Sequence, residues 1–191
     1  MTKRDAICEA ALELFAEKGF EATTTREIAE RAGAAEGTLY RHFDGKADLA
    51  RWLYRRCVTQ LGETLTEATA TISAGPADRL EALVRGVFDF YATKPTSCTY
   101  LLSTRESSIL NGELEDESLS PPVHLFADVI DEGMQQGVFR NASVPLLAGW
   151  ILAMVQRTVL SLKTDTLPVG SQEAIDRTVD AALRLVEGPL E

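Results

Sequence analysis

The 191-residue sequence is poor in the residues that build metal centres and disulfide frameworks. It has three cysteines, Cys8, Cys57 and Cys98, and two histidines, His42 and His124, and no metal-binding spacing links them. Three widely separated cysteines predict buried, reduced thiols in a reducing compartment. A redox-sensing role for Cys98 is the alternative that the sequence leaves open. We expect no metal and no other cofactor.

Long apolar segments are also scarce. The longest run, from Val144 to Val155, contains Pro145 and Gly149, and at about 12 residues it is too short to span a bilayer. The N-terminal segment is charged and amphipathic, without the apolar stretch and small-residue cleavage site of a signal peptide. We therefore expect a soluble, cytoplasmic protein with no membrane partner.

Positive charge is scarce over the chain as a whole, but not in its first third. The formal net charge is −10. Residues 1–60 hold ten Lys or Arg and ten Asp or Glu, so all the excess negative charge lies beyond them. This asymmetry predicts that the first third is a separate functional unit.

Strand-like alternation of useful length is absent, and almost every periodic segment has the helical period. Gly19 is expected to end the first helix, with Phe20 folding back onto Phe15. Thr24 and Glu27 have the spacing of a capping box at the start of the second helix. The sequence thus predicts an all-α fold.

The predicted helices fall into two domains. A three-helix domain covers residues 1–48, and a larger helical domain covers residues 49–191. A long fourth helix, at about residues 46–72, connects them. The stretch 73–78 breaks the chain after it, and Pro76 suits the start of a fifth helix.

The second and third predicted helices are joined by a turn containing Gly33, which makes them a helix-turn-helix candidate. On the third helix, Leu39 and Phe43 share one face and can pack against the second helix. The opposite face has no aliphatic side chain but offers a cation, a hydroxyl and a phenol, which can read base edges or hold phosphates. Its residues are Gly37, Thr38, Tyr40 and Arg41.

Three further features bear on DNA binding. Gly37 costs about 1 kcal/mol relative to Ala inside a helix, and its use would be a close approach of the backbone to a groove wall. Lys46 begins the fourth helix, whose positive end predicts a phosphate contact there. His42 is equally well explained as a packed imidazole or as a phosphate contact. A three-helix subdomain with a polar surface remains the alternative to DNA binding on this pattern.

The motifs LFAEKGF, T-x-REIAERAG and GTLYRHF-x-x-K-x-DL occur together and in this order between Ala11 and Leu49. In these motifs the chain resembles the N-terminal domain of the TetR (tetracycline-repressor) family of transcriptional regulators. The resemblance implies a homodimer on a palindromic double-stranded operator, and a C-terminal pocket that releases DNA when a small molecule fills it. It points to these DNA-binding residues: Thr24, Thr25, Arg26, Gly37, Thr38, Tyr40, Arg41, His42 and Lys46.

Two adjacent residues depart from the family's pattern. Ala35 cannot cap the third helix, at a typical cost of ~1 kcal/mol. Glu36 would be repelled by phosphate unless it pairs with Arg or accepts a hydrogen bond from cytosine N4. We include Glu36 among the predicted DNA-binding residues and expect these departures to affect the operator sequence.

The C-terminal domain is rich in aromatic residues. Each of them could be core, but as a set they could line a cavity for an apolar or aromatic effector. Whether the cavity suits a carboxylate or a cation stays open. The residues predicted to line it are Phe88, Tyr91, Tyr100, Arg105, Phe126, Trp150 and Met154.

The last two predicted helices carry more apolar residues than one buried face requires. Pairing them with their two-fold copies would give a four-helix dimer interface. The predicted interface residues are Ile151, Val155, Ile175, Val179, Leu183 and Val186.

Two other classes of protein were weighed against a regulator. An enzyme is not expected, because the sequence shows no Ser/His/Asp set, phosphate loop or acid–base pair. A helical interaction module with a vestigial reading surface is disfavoured by the intact Thr24, Tyr40, Arg41 and Lys46. The sequence therefore predicts a ligand-responsive, dimeric DNA-binding transcriptional regulator, in its simplest form a repressor that its effector releases from DNA.

Overall fold

The computed structural model describes residues 2–70, 72, 75–104 and 121–187, and these residues contain helices but no strand. This part of the chain confirms the all-α prediction. Arg105, which the sequence analysis assigned to the effector cavity, lies outside it. The helices are α1 (Lys3–Lys18), α2 (Thr25–Arg31), α3 (Glu36–Tyr40), α4 (Lys46–Ala70), α5 (Pro76–Thr93), α6 (Pro95–Thr104), α7 (Pro121–Gln135), α8 (Val144–Lys163) and α9 (Ser171–Glu187).

Helix boundaries follow the predicted capping signals. Gly19 ends α1 with a positive φ of 83°, and the ring centroids of Phe15 and Phe20 are 5.7 Å apart. The capping box of Thr24 and Glu27 is present at the start of α2. Ala35 gives α3 no side-chain cap, as expected.

Helix α3 is shorter than the sequence predicted. We expected it to continue to His42 or Phe43, but it ends at Tyr40. The backbone N–H groups of His42 and Phe43 both donate to the Leu39 carbonyl, so the chain closes a tight turn there. The turn leaves α3 with five residues and directs Phe43 back into the core.

Backbone contacts divide the chain into two compact units, and the division differs from the predicted domains. The first unit holds α1, α2, α3, the first part of α4, and α6; the second holds the rest of α4 together with α5, α7, α8 and α9. Helix α6 thus groups with the N-terminal helices, although it follows α5 directly in sequence. A functional boundary near residue 48 stays a prediction.

The first unit is built around α1, which packs on α2, α3 and α6. Ile7, Phe15 and Leu39 are at most 1% exposed in its core. Tyr100 of α6 stacks on Phe15 with a centroid distance of 5.8 Å, and its hydroxyl donates to the Ala50 carbonyl at 2.7 Å. Burial, the main cause, raises the pKa of the Tyr100 hydroxyl, which therefore stays protonated as a donor.

The second unit is a helical layer in which α5 packs on α7 and α9, and α8 packs on α7 and α9. Its core is apolar and includes Leu80, Phe90, Phe126 and Ile130, all fully buried. The turn after α7 depends on Gly133, because a Cβ there would lie 2.0 Å from the Phe139 ring. That close approach fixes where the chain leaves α7 and turns toward α8.

Candidate nucleic-acid interface

Helix α3 and the turn that follows it divide their residues between the core and solvent. Leu39 is fully buried and Phe43 is 5% exposed, whereas Tyr40 is 55% exposed. Gly37, Arg41 and His42 are exposed and Thr38 is half-buried. A Cβ on Gly37 would have no neighbour within 4 Å. Nothing within the described chain requires glycine at position 37, and its use in a close approach to another surface stays a prediction.

The start of α2 lies beside the start of α3. The Thr25 hydroxyl donates to Glu36 Oε1 at 2.6 Å and so joins the first residues of the two helices. Arg26 is exposed, and its Nε donates to Glu30 Oε1 at 2.8 Å. We call this surface the recognition face. It comprises Thr24, Thr25, Arg26, Glu36, Gly37, Thr38, Tyr40, Arg41 and His42.

The capping box behind the recognition face is reinforced by a lysine. Lys18 Nζ lies 2.6 Å from Glu27 Oε1, and the Thr24 backbone N–H and hydroxyl also donate to Glu27 at 2.9 Å. The bond from Lys18, followed by those from Thr24, lowers the pKa of Glu27 from an ordinary 4.5 to about 2. The stabilisation that ionised Glu27 contributes is therefore present above pH 4.5 and is lost as the pH falls toward 2.

Lys46 does not face outward. Its ammonium donates to the carbonyls of Phe20 and Thr23, both at 2.8 Å, and lies 4.1 Å from the centre of the Phe20 ring. These contacts hold the turn between α1 and α2, which leads into Thr24. A phosphate contact from Lys46 stays a prediction, but the structure commits its charge to internal partners.

Replacing Lys46 with methionine is expected to lower the free energy of unfolding by about 1–3 kcal/mol, because two carbonyls lose their charged donor. Because the ammonium is held by the Phe20 and Thr23 carbonyls, the salt dependence of binding to random DNA is expected to stay unchanged. Urea denaturation and DNA titrations at two salt concentrations measure both quantities. Lys18→Met is the matched control, because a surface ion pair contributes only about 0–1 kcal/mol. If the slope of log affinity against log salt concentration fell by about one unit, Lys46 would instead be shown to contact a DNA phosphate.

The predicted effector residues that the structure describes differ in burial and are divided between the two units. Phe88 and Phe126 are buried core residues of the second unit, and Tyr91 and Met154 are half-buried. Tyr100 belongs to the first unit, where stacking and its hydrogen bond give it a structural role. Trp150 is 41% exposed. The effector site accordingly stays a prediction, with Tyr100 given a structural role by its contacts.

Four of the six predicted interface residues are buried in the core of the second unit. Ile151, Val155, Val179 and Val186 are at most 4% exposed, because α8 and α9 pack on each other and on α5 through these side chains. Ile175 and Leu183 are half-buried. These four residues are thus core within a single chain, which corrects the assignment of the interface to them.

A different surface of α8 and α9 faces outward, and we call it the outer α8–α9 face. Leu146 and Trp150 are 48% and 41% exposed. An open groove between the helices continues from them, lined by small and polar residues such as Ala153, Thr158 and Ala181. The face comprises Leu146, Gly149, Trp150, Ala153, Arg157 and Ala181, all exposed.

Two basic residues near the start of α1 escaped the sequence analysis. Lys3 Nζ donates to the Gly33 carbonyl at 2.9 Å, which ties α1 to the turn of the helix-turn-helix. The Arg4 guanidinium lies 4.3 Å from the centre of the Trp52 ring and 5.2 Å from that of Phe43. Neither contact follows a local pattern, because the partners are about 30 to 48 residues away in sequence.

The remaining reactive groups support no catalytic or metal chemistry in the part of the chain that the structure describes. No group of three or more His, Cys, Asp or Glu side chains is placed to hold a metal ion there. Cys8, Cys57 and Cys98 are free thiols and buried. Burial, followed by the nearby Cys57, raises the pKa of Cys98 to about 12, which disfavours the thiolate that a redox sensor needs.

Helix α8 is the one described helix that is long and apolar enough, by length and composition, to cross a membrane. The core helix of a soluble protein meets the same criterion. Leu147, Ile151, Val155 and Val159 of α8 are each about 1% exposed or less inside the helical second unit. Packing accounts for this buried face, whereas Leu146 and Trp150 of the same helix are exposed.

Comparisons with known proteins agree with this geometry. The family model of bacterial regulatory proteins of the tetR family matches residues 7–52. The HTH-type transcriptional repressor KstR2 of Rhodococcus jostii is 30% identical over 146 residues, covering 73% of this chain and 69% of that protein. The fatty acid metabolism regulator protein of Bacillus subtilis is 26% identical over 155 residues, covering 80% and 79%.

Solved structures share the fold over nearly the whole chain. A tetR family transcription regulator from Shewanella superimposes with a TM-score of 0.85 at 19% identity, covering 99% of this chain and 100% of that one. FadR of Bacillus subtilis, in complex with stearoyl-CoA, gives 0.79 at 22% identity, covering 97% and 99%. These relatives are transcriptional regulators and not enzymes. The chain belongs to the tetR family of bacterial, DNA-binding transcriptional regulators.

Proposed function

We propose that this protein is a cytoplasmic, homodimeric repressor that binds a palindromic operator through its recognition face and is released from it by a small apolar or aromatic effector. The observation that carries the proposal is the division of α3. Leu39 is fixed in the core while Tyr40 and Arg41, which follow it in sequence, are exposed, and the Thr25–Glu36 hydrogen bond joins the start of α3 to the start of α2. This arrangement presents hydrogen-bonding groups from two helices on one surface, as base-edge recognition requires.

A palindromic operator follows from a two-fold dimer with one recognition face per subunit. The two faces would then meet half-sites about one helical turn apart, near 34–36 Å. The outer α8–α9 face supports dimer formation, since it exposes Leu146 and Trp150 beside the small residues Gly149 and Ala153. Small residues allow close approach of paired helices, and an isologous contact would use this face twice.

The effector is proposed to be apolar, with a long-chain acyl-CoA as the first candidate to test. Two observations support this choice. The second unit has an all-helical core with large aromatic side chains, including Phe88 and Phe126. The Bacillus subtilis FadR structure, which shares the fold, was solved with stearoyl-CoA.

Gel retardation tests operator binding and its release by the effector together. The purified protein should shift its own operator fragment, and stearoyl-CoA should reverse the shift. Coenzyme A without the acyl chain is the matched control and should leave the complex intact, because the expected affinity comes from buried apolar area. An aromatic carboxylate tests the alternative effector class. Failure of both classes would refute the effector assignment, and failure to shift any DNA would refute the proposed function.

A further inference from the structure

We propose that Glu36 is a specificity-determining residue, which selects a cytosine in each operator half-site by accepting a hydrogen bond from the cytosine N4 amino group. The proposal rests on the DNA-binding function argued above. Glu36 is a carboxylate on the recognition face, whose other groups suit a polyanion. Its negative charge at that position therefore requires an explanation.

The Glu36 carboxylate is exposed, but a hydrogen bond holds it in one orientation. Glu36 is the first residue of α3, and Thr25, the first residue of α2, donates its hydroxyl to Oε1 at 2.6 Å. The bond fixes the side chain at the point where the two helices of the helix-turn-helix meet. A carboxylate has about four acceptor sites, so one hydrogen bond leaves most of its capacity available.

A phosphate is not a suitable partner for this carboxylate, and among the described residues no arginine forms an ion pair with it. Of the two arginines on the recognition face, Arg26 is paired through its Nε with Glu30 at 2.8 Å, which is the main cause that raises the Arg26 pKa, with a smaller contribution from the charge of Glu36; Arg41 is exposed. A DNA phosphate would repel Glu36. The carboxylate must therefore be directed at a hydrogen-bond donor if it lies in a DNA complex.

The major groove offers two such donors, cytosine N4 and adenine N6. Adenine places its N7 acceptor beside N6 on the same base edge, whereas the cytosine edge presents its amino group without an acceptor of its own. A second acceptor close to a carboxylate is repulsive. Charge thus favours cytosine over adenine as the partner of Glu36.

The competing explanation is that Glu36 only ties α3 to α2. Ala35 provides no side-chain cap, and the bond to Thr25 could serve in its place. The two roles predict opposite effects on random DNA. Loss of a structural tie weakens binding to every sequence, whereas removal of a negative charge near phosphates strengthens non-specific binding.

The test begins with duplexes selected by the wild-type full-length protein, followed by titrations of Glu36→Gln. This variant should bind the selected operator about tenfold more weakly and random DNA about twofold or more tightly. Discrimination should be lost at one symmetric cytosine only. Glu9→Gln removes an exposed carboxylate from α1 and is the matched control, which should change neither affinity.

A second measurement removes the amino group instead of the carboxylate. Replacing that cytosine with 2-pyrimidinone, which lacks only N4, should weaken the wild type about tenfold and Glu36→Gln hardly at all. Thr25→Val keeps the charge of Glu36 but removes the hydrogen bond that holds its side chain. This variant should discriminate less well between cytosine and the other bases, without binding random DNA more tightly.

The outcomes separate this proposal from the proposed function. Equal loss on operator and random DNA would make Glu36 a structural tie and overturn the inference, as would a wild type that tolerates 2-pyrimidinone or selects adenine. DNA binding itself would stand in these cases. A wild-type protein that selects no site would overturn the proposed function, and this inference with it.

Discussion

Placing glutamate at both Leu146 and Trp150 is expected to convert the protein into a monomer and to weaken operator binding by at least about 100-fold. Both side chains are exposed, at 48% and 41%, on the outer α8–α9 face. In a two-fold interface each substitution occurs twice, so four charges would be buried without partners. Light scattering measures the assembly, and titration of the operator measures the affinity.

The choice of residues decides what this experiment can show. Val179→Glu, on α9, would place a charge in the core, since Val179 is 4% exposed, and the result would be unfolding. Circular dichroism should therefore show unchanged helix content in the Leu146→Glu, Trp150→Glu variant. Val138→Glu replaces another apolar residue, 45% exposed, on the turn after α7, and serves as the control. A folded variant that stays dimeric would refute the interface.

Replacing Leu39 with alanine is expected to destabilise the first unit by about 2–5 kcal/mol, because Leu39 is fully buried. Tyr40→Ala, one residue further along α3, should change the free energy of unfolding by no more than about 0.5 kcal/mol. It should instead cost ~1–3 kcal/mol on the operator if the phenol contacts a base, with a smaller loss on random DNA. Arg41→Ala should behave like Tyr40→Ala.

Urea denaturation and paired DNA titrations separate these effects. The comparison is informative because adjacent residues of one short helix are assigned to different tasks. If Tyr40→Ala and Arg41→Ala lowered stability as much as Leu39→Ala, or weakened operator and random DNA equally, the assignment of the two faces of α3 would be wrong.

The helix-turn-helix could be predicted from the sequence because its signals are local. The Thr24 and Glu27 capping box, the cap at Gly19 and the four-residue spacing of Leu39 and Phe43 each act within one or two turns of helix. The structure confirms both caps, and it buries Leu39 and Phe43 together although α3 ends before Phe43. The outward placement of Tyr40 and Arg41 then follows from the helical period.

The internal contacts of Lys46 could not be predicted in the same way. Its position at the start of α4 is local, but its side chain reaches carbonyls of Phe20 and Thr23, more than 20 residues earlier. A long, flexible side chain can point outward or inward, and tertiary packing decides between them.

The sequence likewise could not predict which residues of α8 face outward. Apolar residues nearly surround this helix, so periodicity could not tell which of them meet the core. Packing against α7 and α9 buries Ile151 and Val155 and leaves Leu146 and Trp150 exposed. A helix that is apolar on all sides shows that it has several partners, but does not assign a partner to each side.

Selection of binding sites from random double-stranded DNA tests the central claim most directly. The account predicts that the wild-type protein enriches one sequence with dyad symmetry, and that its half-sites lie about 34–36 Å apart between centres. Each bound duplex should carry two subunits or a multiple of two. Enrichment of no sequence, or of a site without dyad symmetry, would contradict the account.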